Sequence, residues 1–377
     1  MNDSKVPAWV NIFILPMLNI LFAFLFAAFI FIAVDVDPIE AAQVMIRGAL
    51  GYQEGIGYTL YYATNFIFTG LAVAVAFSAG LFNIGGEGQA YMGGLGVGMV
   101  CLALDNTLPF WAILPITMFA SILFGALWAF IPAYLQAYRG SHIVITTIMF
   151  NFIASSLMVY LMVNIFKLEG QMAPVSRLFQ DSATLPMFHE MTAWFGWSFG
   201  QSPMNLSFFI ALLCCLLVWI LLWRTRWGFA IRAMGSSPTA AEYGGINYKK
   251  LTIIVMLISG ALSGLLGVNE VQGYSQQLKL DFVAGYGFTG IAVCLIGRNH
   301  PVGIILASLL FGVLYQGGAE LSFDYPNIDR EMIQVVQALV VLFSGALAYM
   351  FTKPTERFFV FLDERKKASA KQITSEI

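Results

Sequence analysis

Of the 377 residues, 59% are hydrophobic and 11% are charged, where a soluble domain carries about 25% charged residues. With a mean hydropathy of +0.78, the chain holds more apolar surface than a globular core of this size can hide, so lipid must be the solvent for much of it. A net charge of −2, with no basic stretch interleaved with aromatics, argues against a nucleic-acid partner.

A spanning helix needs about 20 predominantly apolar residues. By that ruler the chain is an all-α polytopic membrane protein of about ten transmembrane helices. They fall near residues 10–34, 58–80, 89–105, 110–134, 143–166, 206–223, 251–269, 284–297, 301–320 and 332–352. The first follows Lys5 and runs from Pro7 to Val34, longer than a secretory h-region of about 7–15 residues, so it is expected to stay attached. The third and eighth are short and glycine-rich, as re-entrant or broken helices would be. On the second span Gly70, Ala74 and Ser78, with Ala72, Ala76 and Gly80, form two rows of small residues. Gly94 and Gly98 on the third span and Gly260 and Gly264 on the seventh repeat the pattern, which lets helix backbones approach closely in lipid.

Orientation follows from the basic residues. With the N-terminus inside, fourteen Lys and Arg fall on inner segments and five on outer ones, Arg47, Lys167, Arg177, Lys279 and Arg330. Both termini are therefore expected inside, which an even number of crossings allows. A transmembrane domain over 1–355 is expected, followed by a charged tail at 356–377 that opens on an amphipathic stretch, Glu356 to Leu362. The outer loop 167–205, with Pro174, Pro186, Trp194, Trp197 and Pro203, is expected to form a small folded cap or an interfacial helix.

Between the second and third spans, Gly80-Leu-Phe-Asn-Ile-Gly-Gly-Glu-Gly-Gln89 reads as irregular backbone near membrane depth. Such backbone survives there only when buried in protein or lining a water-filled cavity, and an ionisable residue in it marks a functional site by default. Glu87 is that residue, with Asn83 and Gln89 beside it. The plainer alternative is that Glu87 caps the next helix at the inner interface. In the fifth span Thr147 and Asn151 lie four apart and share a face. They line a solute path or bond to a neighbouring helix.

The inner loop 224–250 carries Ser237 as a helix cap with Pro238 in first position, Thr239 and Glu242 at capping-box spacing, and Gly244 and Gly245 as stop signals. A short helix is expected there, either docking a soluble partner or lying at the interface. At the outer end of the seventh span Asn269, Glu270 and Gln272 sit where a solute or a delivery protein would first touch the bundle. Taken alone, Glu270 reads as a solvated loop carboxylate.

No phosphate-binding loop of the form GxxxxGK[ST] occurs, nor HExxH, CxxC or GxSxG. Cys101, Cys214, Cys215 and Cys294 lie in apolar runs as small hydrophobes, and His142, His189 and His300 are scattered. No metal site and no catalytic residue is expected.

Four segments, Phe82–Gln89, Thr146-Thr-Ile-Met-Phe-Asn-Phe-Ile-Ala154, Ala240-Ala-Glu-Tyr-Gly-Gly-Ile246 and Gly285-Tyr-Gly-Phe-Thr-Gly-Ile-Ala292, together resemble the inner-membrane permeases of ABC importers in the simple-sugar and nucleoside group. The NIGGEGQ segment resembles the nucleoside type rather than the ribose type, and the likeness runs from about residue 60 to 350. It implies a permease subunit without a cofactor of its own in a bacterial inner membrane. Two permeases, alike or related, would stand over two ATPase subunits that bind ATP, and an external solute-binding protein would deliver nucleosides or sugars. It also implies an internal inverted repeat pairing spans two to five with seven to ten. Asn83, Glu87, Gln89, Thr147 and Asn151 would line or gate the path. Pro238, Ala240, Ala241, Glu242, Gly244 and Gly245 would form the helix coupling to the ATPase, and Asn269 and Glu270 an external gate. The alternatives are a self-contained secondary transporter or channel, which needs an ionisable relay in the spans, and a polytopic enzyme, which needs a paired acid and base.

Overall fold

Apolar segments without water to satisfy their backbone must bond internally, and the chain does so as helices. The computed structural model describes residues 15–33, 35–326, 328 and 330–342. In chain order the helices are α1 (Leu15–Ala33), α2 (Pro38–Leu50), α3 (Gln53–Ser78), α4 (Gly86–Leu104), α5 (Phe110–Arg139) and α6 (Ile143–Leu161), the last prolonged by a π-helical turn, Met162–Phe166. There follow α7 (Phe188–Ala193), α8 (Ser207–Arg224), α9 (Arg226–Ser236), α10 (Pro238–Tyr243) and α11 (Tyr248–Gly264), which leads into a π-helical segment, Val268–Ser275. The last are α12 (Tyr286–Ile296), α13 (Pro301–Asp324) and α14 (Arg330–Val341). Among the described residues there is no strand beyond isolated bridges. The predicted tail at 356–377 and its amphipathic stretch lie outside the described residues.

Every predicted span meets a helix, and among the described residues six helices are long and apolar enough to cross a membrane: 53–78, 110–139, 143–166, 207–224, 248–275 and 301–324. The seventh span thus extends to Ser275 and takes Asn269, Glu270 and Gln272 inside it. The glycine-rich α12, with 11 residues, rises about 16 Å and is too short to cross alone. Two helices were not anticipated. One is α2, opened by Asp37, whose Oδ1 accepts the N–H groups of Ile39 and Glu40 at 2.7 and 3.3 Å. The other is α9, opened by Thr225, whose Oγ1 accepts the Gly228 N–H at 3.0 Å.

The chain divides into two compact units, residues 45–317 and residues 1–44 with 318–377. In the second of these α1 packs on α14. In the first, α3 and the α11 span form the centre, with 83% and 72% of their apolar windows buried, whereas the windows of α5, α6 and α8 are 28% buried and present one side outward. The most extensive helix contact is α5 on α11. There a Cβ on Gly260 would lie 2.4 Å from the Gly125 carbonyl oxygen, and one on Gly125 would lie 2.3 Å from that of Gly260. The small-residue pairing read from sequence is therefore a backbone contact, with Ser121 Oγ donating to the Gly264 carbonyl at 2.6 Å.

Candidate translocation site and cytoplasmic loop

After α3 ends, residues 81–84 run without helical hydrogen bonds until α4 opens at Gly86. Their polar groups need partners inside protein, and the predicted path residues supply them. Asn83 Oδ1 accepts the Gly85 N–H at 2.9 Å, and its Nδ2 donates to Gln89 Oε1 at 3.0 Å and Ser259 Oγ at 2.8 Å. Asn151 clamps the same stretch from α6, donating to the Ile84 carbonyl and accepting from the Gly88 N–H, both at 2.9 Å. Ser263 Oγ donates to the Gly86 carbonyl at 2.6 Å. Thr147 is buried and bonds back to its own helix at Ile143, 2.8 Å away. The structure thus gathers Asn83, Gln89, Thr147 and Asn151 around one crossing, with every one of them buried.

Glu87 stands in the first turn of α4 and its carboxylate is used by another helix. Oε1 accepts the Gly285 N–H at 2.9 Å and Oε2 accepts the Gly287 N–H at 2.8 Å. The starts of α4 and α12 therefore meet at one carboxyl group, which caps N–H groups at the start of α12. A helix-capping role was foreseen for Glu87, but the capped helix is α12, not the one that follows it. The approach is tight: a Cβ on Gly287 would lie 2.3 Å from the Glu87 backbone nitrogen.

Toward the other end of α3 a second polar cluster forms on the π-helical segment. Asn269 and Glu270 are 1% and 2% exposed, so Glu270 is not the solvated loop carboxylate expected of it. The reason is the π-helical continuation of α11, which carries the polar run inward beyond the predicted end of the span. Tyr61 and Asn65 of α3 both donate to Glu270 Oε1 at 2.5 Å. Asn269 Nδ2 donates to Asn65 Oδ1 at 2.8 Å, while its Oδ1 accepts from Asn205 at 2.9 Å and from Ser207 at 2.7 Å. Gln272 accepts from Thr117 Oγ1 at 2.8 Å. Sequence reasoning missed the partners Tyr61, Asn65, Ser259 and Ser263. Tyr61 with Asn65 and Ser259 with Ser263 repeat at four residues inside apolar runs, a spacing that marks one polar helix face.

The loop 167–205 is folded and contains α7. Arg177 grips Asp105 with two hydrogen bonds, 2.6 and 2.9 Å, and this guanidinium holds the Asp105 carboxyl below the usual carboxylate range. Ser182 donates to the Asp105 carbonyl. An apolar cavity of about 530 Å³ lies under the loop, lined by Phe188, Met191, Thr192, Phe195, Trp197 and Phe209. It shares no residue with either polar cluster.

In the loop 224–250 Ser237 Oγ caps α10 by accepting the Ala240 N–H at 3.4 Å, with Pro238 in first position. The cap is Ser237, so Thr239 falls inside the first turn and no capping box with Glu242 forms. Pro238, Ala240, Glu242 and Gly244 are exposed, Ala241 is buried, and Tyr243 is 91% exposed. Gly245 closes the helix in the left-handed region, φ +84°. At the other end of this loop Gly235 lies against the end of α3: its Cβ would fall 2.3 Å from the Ser78 carbonyl and 3.0 Å from the Gly80 nitrogen. Backbone contact thus joins the loop to the segment that leads into the crossing.

Comparison with known proteins agrees with this architecture. A family described as the branched-chain amino acid transport system permease component matches residues 55–347. The glucose ABC transporter permease protein TsgB13 of Haloferax volcanii is 34% identical over 90% of this chain and 88% of its own length. The nucleoside ABC transporter permease protein NupB of Lactococcus lactis is 35% identical over 88% and 90%. The guanosine ABC transporter permease protein NupP of Bacillus subtilis is 32% identical over 88% and 92%. No solved structure matches. The chain belongs to this permease-component family and is a multi-pass membrane permease subunit of an ABC transporter.

Proposed function

We propose that this permease subunit belongs to an importer that moves nucleosides, or related solutes such as sugars, across a bacterial inner membrane. ATP is hydrolysed by a partner ATPase, a second permease subunit completes the pathway, and an external binding protein delivers the solute. The chain itself has no catalytic residue and no cofactor. Ten crossings with both termini inside and an internal inverted repeat fit the basic-residue bias. They also fit the facing starts of α4 and α12, since broken helices of opposite direction meet at transport sites.

The observation that carries the reading is the contact chain from loop to crossing. The α10 helix presents Pro238, Ala240, Glu242 and Tyr243 outward and packs on α9. At the end of α9, Gly235 touches Ser78 and Gly80, and the next residues carry Asn83, Glu87 and Gln89. A partner that moves α10, seated through Ala241 and hinged at Gly244 and Gly245, pulls on the crossing where α4 meets α12. Asn83, Glu87, Gln89, Thr147 and Asn151 then act as the inner gate, and Asn269 and Glu270 as the outer one.

Co-purification of the tagged chain from native membranes, followed by an ATPase assay, tests this. An ATPase subunit is expected to accompany the chain and to be lost when residues 238–245 are replaced by a Gly-Ser linker. Retention of the ATPase with that linker would overturn the coupling assignment.

A further inference from the structure

Resting on that reading, we infer that Tyr62, Tyr315 and Thr289 form a mid-membrane station where the planar base of a nucleoside is held against aromatic rings as it crosses. Tyr62 stands about 5 Å along the axis from the midpoint of α3, and Tyr315 about 4 Å from the midpoint of α13. Tyrosines normally sit at the membrane–water interfaces, where the hydroxyl stays wet. These two are instead near mid-depth and are partly exposed. Their rings are 5.6 Å apart at 49°, too tilted to stack on each other. Tyr286 lies 6.5 Å from Tyr62 and 6.1 Å from Tyr315, and Phe66 4.9 Å from Tyr315. Both of these backing rings are buried, Phe66 fully and Tyr286 to 5% exposure, so they hold the outer pair in place. Thr289 Oγ1 lies 3.2 Å from the Tyr315 hydroxyl, which puts polar atoms on the same face.

Thr289 Oγ1 also donates to the Gly285 carbonyl at 3.2 Å, so the polar atoms of this face form a bonded group that a solute hydroxyl can join. Aromatic faces flanked by hydroxyls match a solute with a flat π-system and a polyol, and stacking tolerates different bases. The nearest carboxylates, Glu87 and Glu270, are already bonded within the protein. The station residues Tyr62, Tyr315 and Thr289 carry no cationic group, so the station suits an uncharged solute rather than a phosphorylated one.

The test uses the chain assembled with its ATPase in proteoliposomes and tritiated guanosine as the probe. Tyr62→Ala and Tyr315→Ala are expected to raise KM for uptake roughly tenfold each, the loss of one stacking partner, while Tyr62→Phe and Tyr315→Phe stay within about twofold. A purely structural role would lower assembly or kcat for the Ala variants and leave KM unchanged, which would overturn the inference. Should the Ala variants fail to assemble, photolabelling of the wild-type complex with 8-azidoguanosine decides. Label within 58–66, 284–291 or 311–317 supports the station, and label elsewhere overturns it. Wild-type uptake of guanosine with unchanged KM in the variants defeats this inference alone. A complex that carries no nucleoside defeats it together with the proposed substrate.

Discussion

Two carboxylates of the bundle, Glu87 and Glu270, are held in opposite ways. Glu87 uses both oxygens, each on a backbone N–H of another helix's start. Glu270 receives Tyr61 and Asn65, two side chains of one neighbouring helix, on a single oxygen. Backbone donors are obligatory and have no other acceptor if the carboxylate leaves, whereas side-chain donors rotate and find new ones. On this basis we propose that the pull from the loop 224–250 reaches the inner gate at Glu87 through a rigid crossing, and that the gate at Glu270 opens by exchange of side-chain partners.

The largest expected effect comes from separating the helix starts. Gly287→Val would push a side chain into the Glu87 backbone and is expected to abolish recovery of folded protein, read by size-exclusion chromatography in detergent. A monodisperse, normally expressed variant would show that α4 and α12 do not meet this closely. Next, Glu87→Gln must turn an amide NH₂ toward one of two N–H donors, so about 2–3 kcal/mol of stability is expected to go, as for an unmet buried donor. Glu270→Gln still offers one oxygen to Tyr61 and Asn65 and is expected to cost about 1 kcal/mol or less. Thermal unfolding of both variants side by side breaks the comparison if their losses are equal or reversed.

The smallest effect concerns the folded loop 167–205. The folded-state value of Asp105 is lowered by Arg177, so the contribution is present above the ordinary carboxylate range and is lost as pH falls through the lowered value. Arg177 is 36% exposed, which holds the effect to about 1 kcal/mol or less. Hydrogen exchange of residues 176–183 is expected to quicken below about pH 4 in the wild type, and Arg177→Ala should remove that step. Acid-independent exchange in the wild type would contradict it.

What was legible in the sequence follows from the same contrast. The irregular stretch at 80–89 was visible because four glycines interrupt an apolar run, and the capped α10 because Ser-Pro and Gly-Gly are local signals. The outer cluster was misplaced because a π-helical continuation leaves no mark on composition: hydropathy falls at Asn269 while the helix goes on to Ser275. The Glu87–Gly285 contact joins residues 198 positions apart, and no local pattern names such a partner. The aromatic array was equally hidden, since Tyr62, Tyr286 and Tyr315 come from three helices.

We propose that this chain moves solute only when a partner's ATP cycle pulls on the crossing. Guanosine uptake into proteoliposomes, compared for the chain alone and for the chain with its ATPase and ATP, tests it directly. Accumulation is expected only in the second case, and is expected to be lost when residues 238–245 become a flexible linker. Active uptake by the chain alone would contradict it.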